Sequence, residues 1–369
     1  MDSVAQTQAS ELPEVDTACA PSAAPTRDVH VLGVGSASPR IAKAVADGLG
    51  LPVEAVVDAF YRAPARLVSR LDATAAARLA AFLRELGVDA TDVDSGPPPA
   101  RPALLDIAID LDELARCDEI AAALAAFTGT SVDAARALLL DPPGVVMGRV
   151  SAATAAALER ALPAGAAKVI AADPDASRYA MFAVALTRAQ RTSLQGMLPA
   201  GSACDADGNL TLFDLDRGEA DALWRRLKAS ASVRIVNEAF LRFELQLDAA
   251  PVADAQAAAT LHALAGVPVE DYATLVSLLP LAIESRLAYT EIAPRMAAYA
   301  AAGFATTARL TTFEPVALEV LAAPSGVLEA HGFTRVELPL RTPSMSEPLA
   351  RVLRARLEAA GADVVVASS

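Results

Sequence analysis

The chain repeats itself, and a segment that recurs with the same residues at the same columns must build the same structural unit each time. Residues 50–71 read GLPVEAVVDAFYRAPARLVSRL, residues 129–150 read GTSVDAARALLLDPPGVVMGRV, and residues 266–287 read GVPVEDYATLVSLLPLAIESRL. The three align without a gap at shifts of 79 and 137 residues. Four columns carry the match: Gly50, Gly129 and Gly266; the acids Glu54, Asp133 and Glu270; Pro64, Pro143 and Pro280; and Arg70, Arg149 and Arg286.

Each column has a physical reading. The glycine follows an apolar helical stretch such as 41–49 and predicts a helix ending in a left-handed residue, a conformation glycine adopts at little cost. Pro52, Ser131 or Pro268 then opens a second helix, with the acid in its first turn where the helix dipole favours negative charge. The proline column ends that helix. Alternating runs at 66–71, 145–150 and 282–287 read as strands, and Asp72 and Ser151 cap the helices that follow. Closing strands are expected at 88–93, 167–171 and 304–310, and opening strands at 29–34, 104–109 and 240–247.

The expected fold is therefore α+β, built from tandem small β-α-α-β-α-β modules. Three are full, at 27–95, 101–173 and 239–312, with the proline-rich segment 95–102 between the first two. Two are abbreviated, at 176–238 and 313–369. In the former, Leu215, Asp216, Leu223 and Leu227 match Leu71, Asp72, Leu79 and Leu83, and the helix pair shrinks to a short helix and a loop over 187–208. In the latter, strands are expected at 316–321, 334–340 and 363–367, with a helix over 347–360. Residues 1–26 lack sustained apolar periodicity and contain Pro13, Pro21 and Pro25, which predicts a disordered tail.

The first copy resembles the C-terminal domain of bacterial ribosomal protein L7/L12, the stalk module that shares its fold with the ClpS adaptor. The resemblance rests on AKAVADGLGL at 42–51, APARL at 63–67 and the capped helix 72–86 followed by Gly87. It covers about one such domain and recurs more weakly at the second and fourth copies. It implies the fold and an affinity for protein partners. In that family basic residues of the first two helices recruit translational GTPases. Lys43 stands at one of those positions, but Ala46 and Val57 stand at others, and Ala122 and Ala259 replace Lys43 in the later copies. The resemblance therefore does not carry the recruiting site across.

Composition narrows the partners. Apolar residues make up 54% of the 369, so a core can be buried, yet aromatics supply only 4%, which suits small close-packed units. Asp and Glu outnumber Lys and Arg 45 to 31, for a net charge of −14. The electrostatic term that drives phosphate binding is missing overall, so neither nucleic acid nor an anionic membrane is an expected partner. The start has neither the basic nor the apolar region of a signal peptide, and no stretch reaches the length of a membrane span, which predicts a cytoplasmic protein. Cys19, Cys117 and Cys204 are too few and too far apart for a disulfide framework, and read as reduced thiols.

Candidate chemistry is sparse. His30, His262 and His331 show no metal-ligand spacing, and none neighbours a Cys or Ser in a nucleophile motif. The run GVGSASPR at 33–40 lacks the Gly-Lys pair of a phosphate loop and reads as a strand-to-helix turn. The run DADGNL at 205–210 has its glycine two positions too early for a calcium loop, and reads as a tight turn. No cofactor or metal is expected. Possible partner-binding residues are Lys43; the recurring Arg70, Arg149 and Arg286, which fit either repeated anion sites or ion pairs with acids of neighbouring helices; and Trp224 with Arg225, which fit either an interface anchor or a ring packed under its sheet. The leading expectation is a non-enzymatic scaffold that multiplies surface for protein partners. An enzyme or enzyme subunit with a site between modules, and an adaptor for peptides or translation factors, are the alternatives.

Overall fold

The computed structural model describes residues 25–194, 198, 204–205, 207–229, 232–251, 255–334 and 337–367. Its first unit runs β1 (Arg27–Gly33), α1 (Ile41–Leu49), α2 (Val53–Tyr61), β2 (Ala65–Leu71), α3 (Ala73–Glu85) and β3 (Asp89–Asp94). The second runs β4 (Leu104–Leu111), α4 (Cys117–Thr128), α5 (Val132–Leu140), β5 (Val145–Ser151), α6 (Ala152–Ala161) and β6 (Ala167–Ala172). The third is shorter: β7 (Tyr179–Val184), α7 (Arg188–Leu194), β8 (Leu210–Leu215), α8 (Arg217–Leu227) and β9 (Ser232–Asn237). The fourth has β10 (Arg242–Ala249), α9 (Ala255–Ala265), α10 (Tyr272–Ser277), β11 (Leu281–Ala288), α11 (Tyr289–Ala301) and β12 (Ala305–Leu310). The fifth has β13 (Pro315–Val316), β14 (Leu318–Ala322), α12 (Val327–Ala330), β15 (Leu340–Arg341), β16 (Met345–Ser346), α13 (Glu347–Ala359) and β17 (Asp363–Val366).

The fold is α+β, and the described residues contain five small antiparallel sheets of three strands each. In every one the first strand is central: β2-β1-β3, β5-β4-β6, β8-β7-β9, β11-β10-β12 and β15-β14-β17. One expectation fails in the fifth unit, where the middle strand is only Leu340–Arg341 and not 334–340. Pro339 immediately before it has no N–H to give a ladder, and residues 335 and 336 lie outside the described residues. The expected tail at 1–26 lies outside them too, except for its last two residues, as does Cys19.

The helical columns find direct causes in the backbone. Gly50, Gly129 and Gly266 have φ of 65°, 74° and 71°. Each closes a helix through its own N–H, to the carbonyls of Ala46, Ala125 and His262. Asp72 and Ser151 cap α3 and α6 by accepting from the N–H groups of Ala75 and Thr154, at 2.8 and 3.3 Å. α3 buries Ala76, Ala80 and Leu83, which fall on one face at helical spacing.

The arginine column turns out to mark a bulge. Arg70, Arg149 and Arg286 have φ of 58°, 54° and 61°, and Asp214 takes the place in the third unit with φ 59°. A left-handed non-glycine residue costs about 1–2 kcal/mol, and here an acid compensates by capturing the exposed N–H. Arg70 donates to Asp28 Oδ1 and Arg149 to Asp106 Oδ1, each at 2.9 Å, and Asp214 donates to Glu238 Oε1 at 2.6 Å. Asp28 is buried, and also accepts from the Ser95 hydroxyl at 2.6 Å and from Arg66 at 3.3 Å.

Strand alternation decides how the units meet. In the central strands one parity points to the unit's own helices: Val29 and Val31, Ile107 and Ile109, Met181 and Ala183, Leu245 and Leu247, Leu318 and Val320. The other parity faces neighbours. Ala108 packs with Phe240 from the connection between the third and fourth units. Ala180 and Phe182 pack with Phe243, Tyr289 and Phe313 of the fourth unit and its exit, with the Phe213 and Tyr289 rings stacked at 5.2 Å. The first two units share one core, tied by Tyr61, whose hydroxyl donates to the Phe127 carbonyl at 3.0 Å and whose carbonyl accepts from Thr154 at 2.8 Å. The fifth unit returns to the second. Val352 of α13 joins the shared core, Ser346 donates to the Leu140 carbonyl at 2.9 Å, and Arg356 meets Asp118 at 2.8 Å. No single helix among the described residues is long and apolar enough to cross a membrane.

Two stability tests follow from the backbone. Gly50→Ala and Gly266→Ala should each cost about 1 kcal/mol in urea unfolding. The cost at the third site is not equal, because the new Cβ of Gly129→Ala would stand 3.2 Å from Pro39 Cβ, and that variant should lose more. The Ser95 hydroxyl and the Arg70 N–H hold the Asp28 carboxyl down at about 2, against the opposing pull of burial. Its stabilisation is present above the ordinary carboxylate value of 3.8 and is lost as pH falls toward about 2. Asp28→Asn should therefore be less stable than wild type at neutral pH, with the difference closing over that acid range in pH-dependent melts.

Candidate functional site

The partner-binding residues expected from sequence are spread over four units. Lys43 is exposed on α1 and pairs with Asp47 one turn on at 3.0 Å. Arg70 and Arg149 hold exposed bulge positions, and Arg149 also offers its carbonyl to Arg62 at 3.2 Å. Trp224 is 41% exposed on α8, whose buried face is Ala220, Leu223 and Leu227, so its ring is not tucked under the sheet. Arg225 beside it donates to the Asp221 carbonyl at 3.1 Å. Arg149 also lines a cleft between the first and second units, and Arg286 enters a junction where three units converge.

That site forms where the second, fourth and fifth units meet. Asp110 on β4 receives Arg286 from β11 at 2.6 Å and Arg242 from β10 at 3.1 Å. Arg286 also reaches Asp112 at 3.2 Å. Its ion pairs are thus with acids at the end of a strand in another unit, not with acids of a neighbouring helix. From the fifth unit, Arg351 on α13 donates to the Leu111 carbonyl at 3.3 Å and pairs with Glu347 at 3.5 Å. Burial pushes the Glu347 carboxyl above its ordinary value, against Arg351 and Arg286, and burial lowers the Arg351 guanidinium.

Above this junction the fourth and fifth units enclose a cleft of about 560 Å³, within the size range of small-ligand sites. The floor is the outward face of the fourth sheet, with Glu244 on β10 and Arg309 on β12 paired at 2.7 Å. The opposite wall is α13 with the entry to the fifth sheet, where Val316, Leu318 and Ala350 give an apolar lining. Arg286, Arg309, Arg341, Arg351 and Arg354 line the cleft against Glu244, Glu314 and Glu347, a surplus of two positive charges in a chain that is strongly acidic.

Other sequence candidates remain structural. His262 and His331 each place Nδ1 on a backbone carbonyl, at 3.0 and 2.8 Å. Asp205 accepts from both the backbone and side-chain amides of Asn209, at 2.8 and 3.0 Å, and Gly208 has φ 82°, so the described residues of the 205–210 run, all but 206, are held as a turn. Among the described residues no group of three His, Cys, Asp or Glu side chains is placed to hold a metal ion. Comparison of the chain with protein-family models, curated proteins and solved structures finds no match.

The junction makes its own prediction. Asp110 and Arg242 are only 20% and 17% exposed, so removing the shared carboxylate leaves two partly buried guanidiniums without their main partner. Asp110→Asn should destabilise the protein by about 2 kcal/mol, a figure discounted from the cost of a fully buried pair for residual exposure. A lowered urea midpoint of the first transition would show it.

Proposed function

We propose that this chain is a non-enzymatic interaction protein, whose repeated units resemble the C-terminal domain of ribosomal protein L7/L12 and present their helix-pair connectors to a protein partner. The observation that carries the reading is a recurring exposed valine. Val53, Val132 and Val269 share one column, each the first residue after the turn that opens the second helix of its unit. Val132 is 40% and Val269 45% exposed, and Val53 is half-buried. Val53 packs against the core of its unit, so the exposed apolar contact recurs at two places, Val132 and Val269, which suits a contact made more than once. The exposed Lys43 and Trp224 add candidate contacts on other faces. Support for the family likeness comes from the central first strand of all five sheets and the left-handed glycine between the paired helices.

The test is a native pulldown with the wild-type chain beside the double variant Val132→Asp with Val269→Asp. Acids in a first helical turn are favoured by the dipole, so the variant should melt like wild type. It should lose at least about tenfold of a stoichiometric partner, an effect of roughly 1.4 kcal/mol. Equal recovery by both proteins would refute the connector as the contact.

A further inference from the structure

The cleft between the fourth and fifth units has features that packing alone does not require. Five arginines converge on it in an acidic chain, and the acids that hold two of them stand outside its lining. Asp110 and Asp112 grip Arg286 from the junction beneath, and Glu358, one turn further along α13, holds Arg354 at 2.7 Å. Such backing acids fix guanidiniums in place and leave their remaining donors available, and fixed guanidiniums bind carboxylate and phosphate oxygens well. A second observation points the same way. Arg286 Nε is buried and donates to no partner, an unmet donor where the cleft meets the junction beneath it.

The acids within the cleft set its selectivity. Glu244 and Glu314 both pair with Arg309, at 2.7 and 2.6 Å, and Glu347 pairs with Arg351 while burial favours its neutral form. An entering anion therefore meets arginines on two walls, from β11 and β12 on one side and α13 on the other. Beside them lies the apolar strip of Val316, Leu318, Ala350 and Val366. A single small inorganic ion would leave that strip and most of the volume unused.

We propose that this cleft binds a small organic anion that carries two negative charges, as carboxylates or phosphate, beside an apolar portion. The site is separate from the valine connectors and from any protein they engage, so either reading can fail without the other. Binding ties two units through one ligand, and so raises the melting temperature as ligand concentration rises above Kd.

Calorimetric titration of the full chain at low salt tests it, with naphthyl phosphate and naphthalene dicarboxylate as probes and neutral naphthalene dicarboxamide as control. At least one anion should bind at one per chain, at least about tenfold more tightly than the dicarboxamide, and the better of the two tells phosphate from carboxylate as the preferred group. Arg309→Gln and Arg354→Gln should each weaken it by about tenfold. The Arg354–Glu358 pair is a solvent-exposed helical pair, worth about 0.3–0.5 kcal/mol, so Arg354→Gln keeps its fold. Arg225→Gln in the third unit should bind as wild type does. The proposal is overturned if neither anion binds, if the dicarboxamide binds equally well, if both cleft variants keep wild-type affinity, or if only an acidic peptide such as octaglutamate is taken up.

Discussion

A three-stranded sheet with its helices on one side leaves the other side bare, and a unit of some seventy residues buries too little surface to tolerate that. The need to cover those faces organises this protein. The third unit's outward face is covered by the fourth, with Phe243 and Tyr289 packed on Ala180, Phe182 and Phe213 in a chain otherwise poor in aromatic rings. The second is covered by Phe240, which lies between its sheet and the fourth unit. The units are therefore not beads on a string, because the first four share core residues with their neighbours and the fifth lends Val352 to the second.

The fourth and fifth units solve the problem differently. Glu244 and Gln246 on the outward parity of β10 are polar, so this face cannot close against an apolar partner. The fifth unit approaches it and is held by α13, which docks on the second unit through Val352, Ser346 and Arg351. Since α13 is fixed from the far side, a gap persists between the two units, and two of the junction arginines, Arg286 and Arg351, also line that gap. The cleft is thus a consequence of one sheet keeping a charged face while its neighbour is anchored elsewhere.

Much of the fold was legible in the sequence because the relevant constraints are local. A left-handed helix end demands glycine, a first turn favours an acid, and strand parity shows as alternation, so Gly50, Gly129 and Gly266 could be placed before any coordinates. The arginine column was legible as a repeat but not as a bulge, since left-handed φ does not ordinarily select arginine, and the acids that stabilise it lie on another strand. The site was nearly invisible. Asp110, Arg242, Arg286 and Arg351 come from three units and span more than two hundred positions, and nothing in their local sequence marks them as neighbours. The lone signal was Arg286, noted for its recurrence and not for its partners. The sequence around Trp224 fits either an anchor or a core ring, and the structure exposes it because α8 already fills its buried face with smaller residues.

The Asp110 carboxylate ties the second unit to the fourth, Arg351 of the fifth reaches the Leu111 carbonyl beside it, and hydrogen exchange reads whether the three units hold together because it resolves stability segment by segment. In the full chain, Asp110→Asn should speed amide exchange together in β4, in β11 and in the first turns of α13, and leave β7 to β9 of the third unit unchanged. Faster exchange confined to β4, with β11 and α13 as protected as in wild type, would contradict a junction held in common.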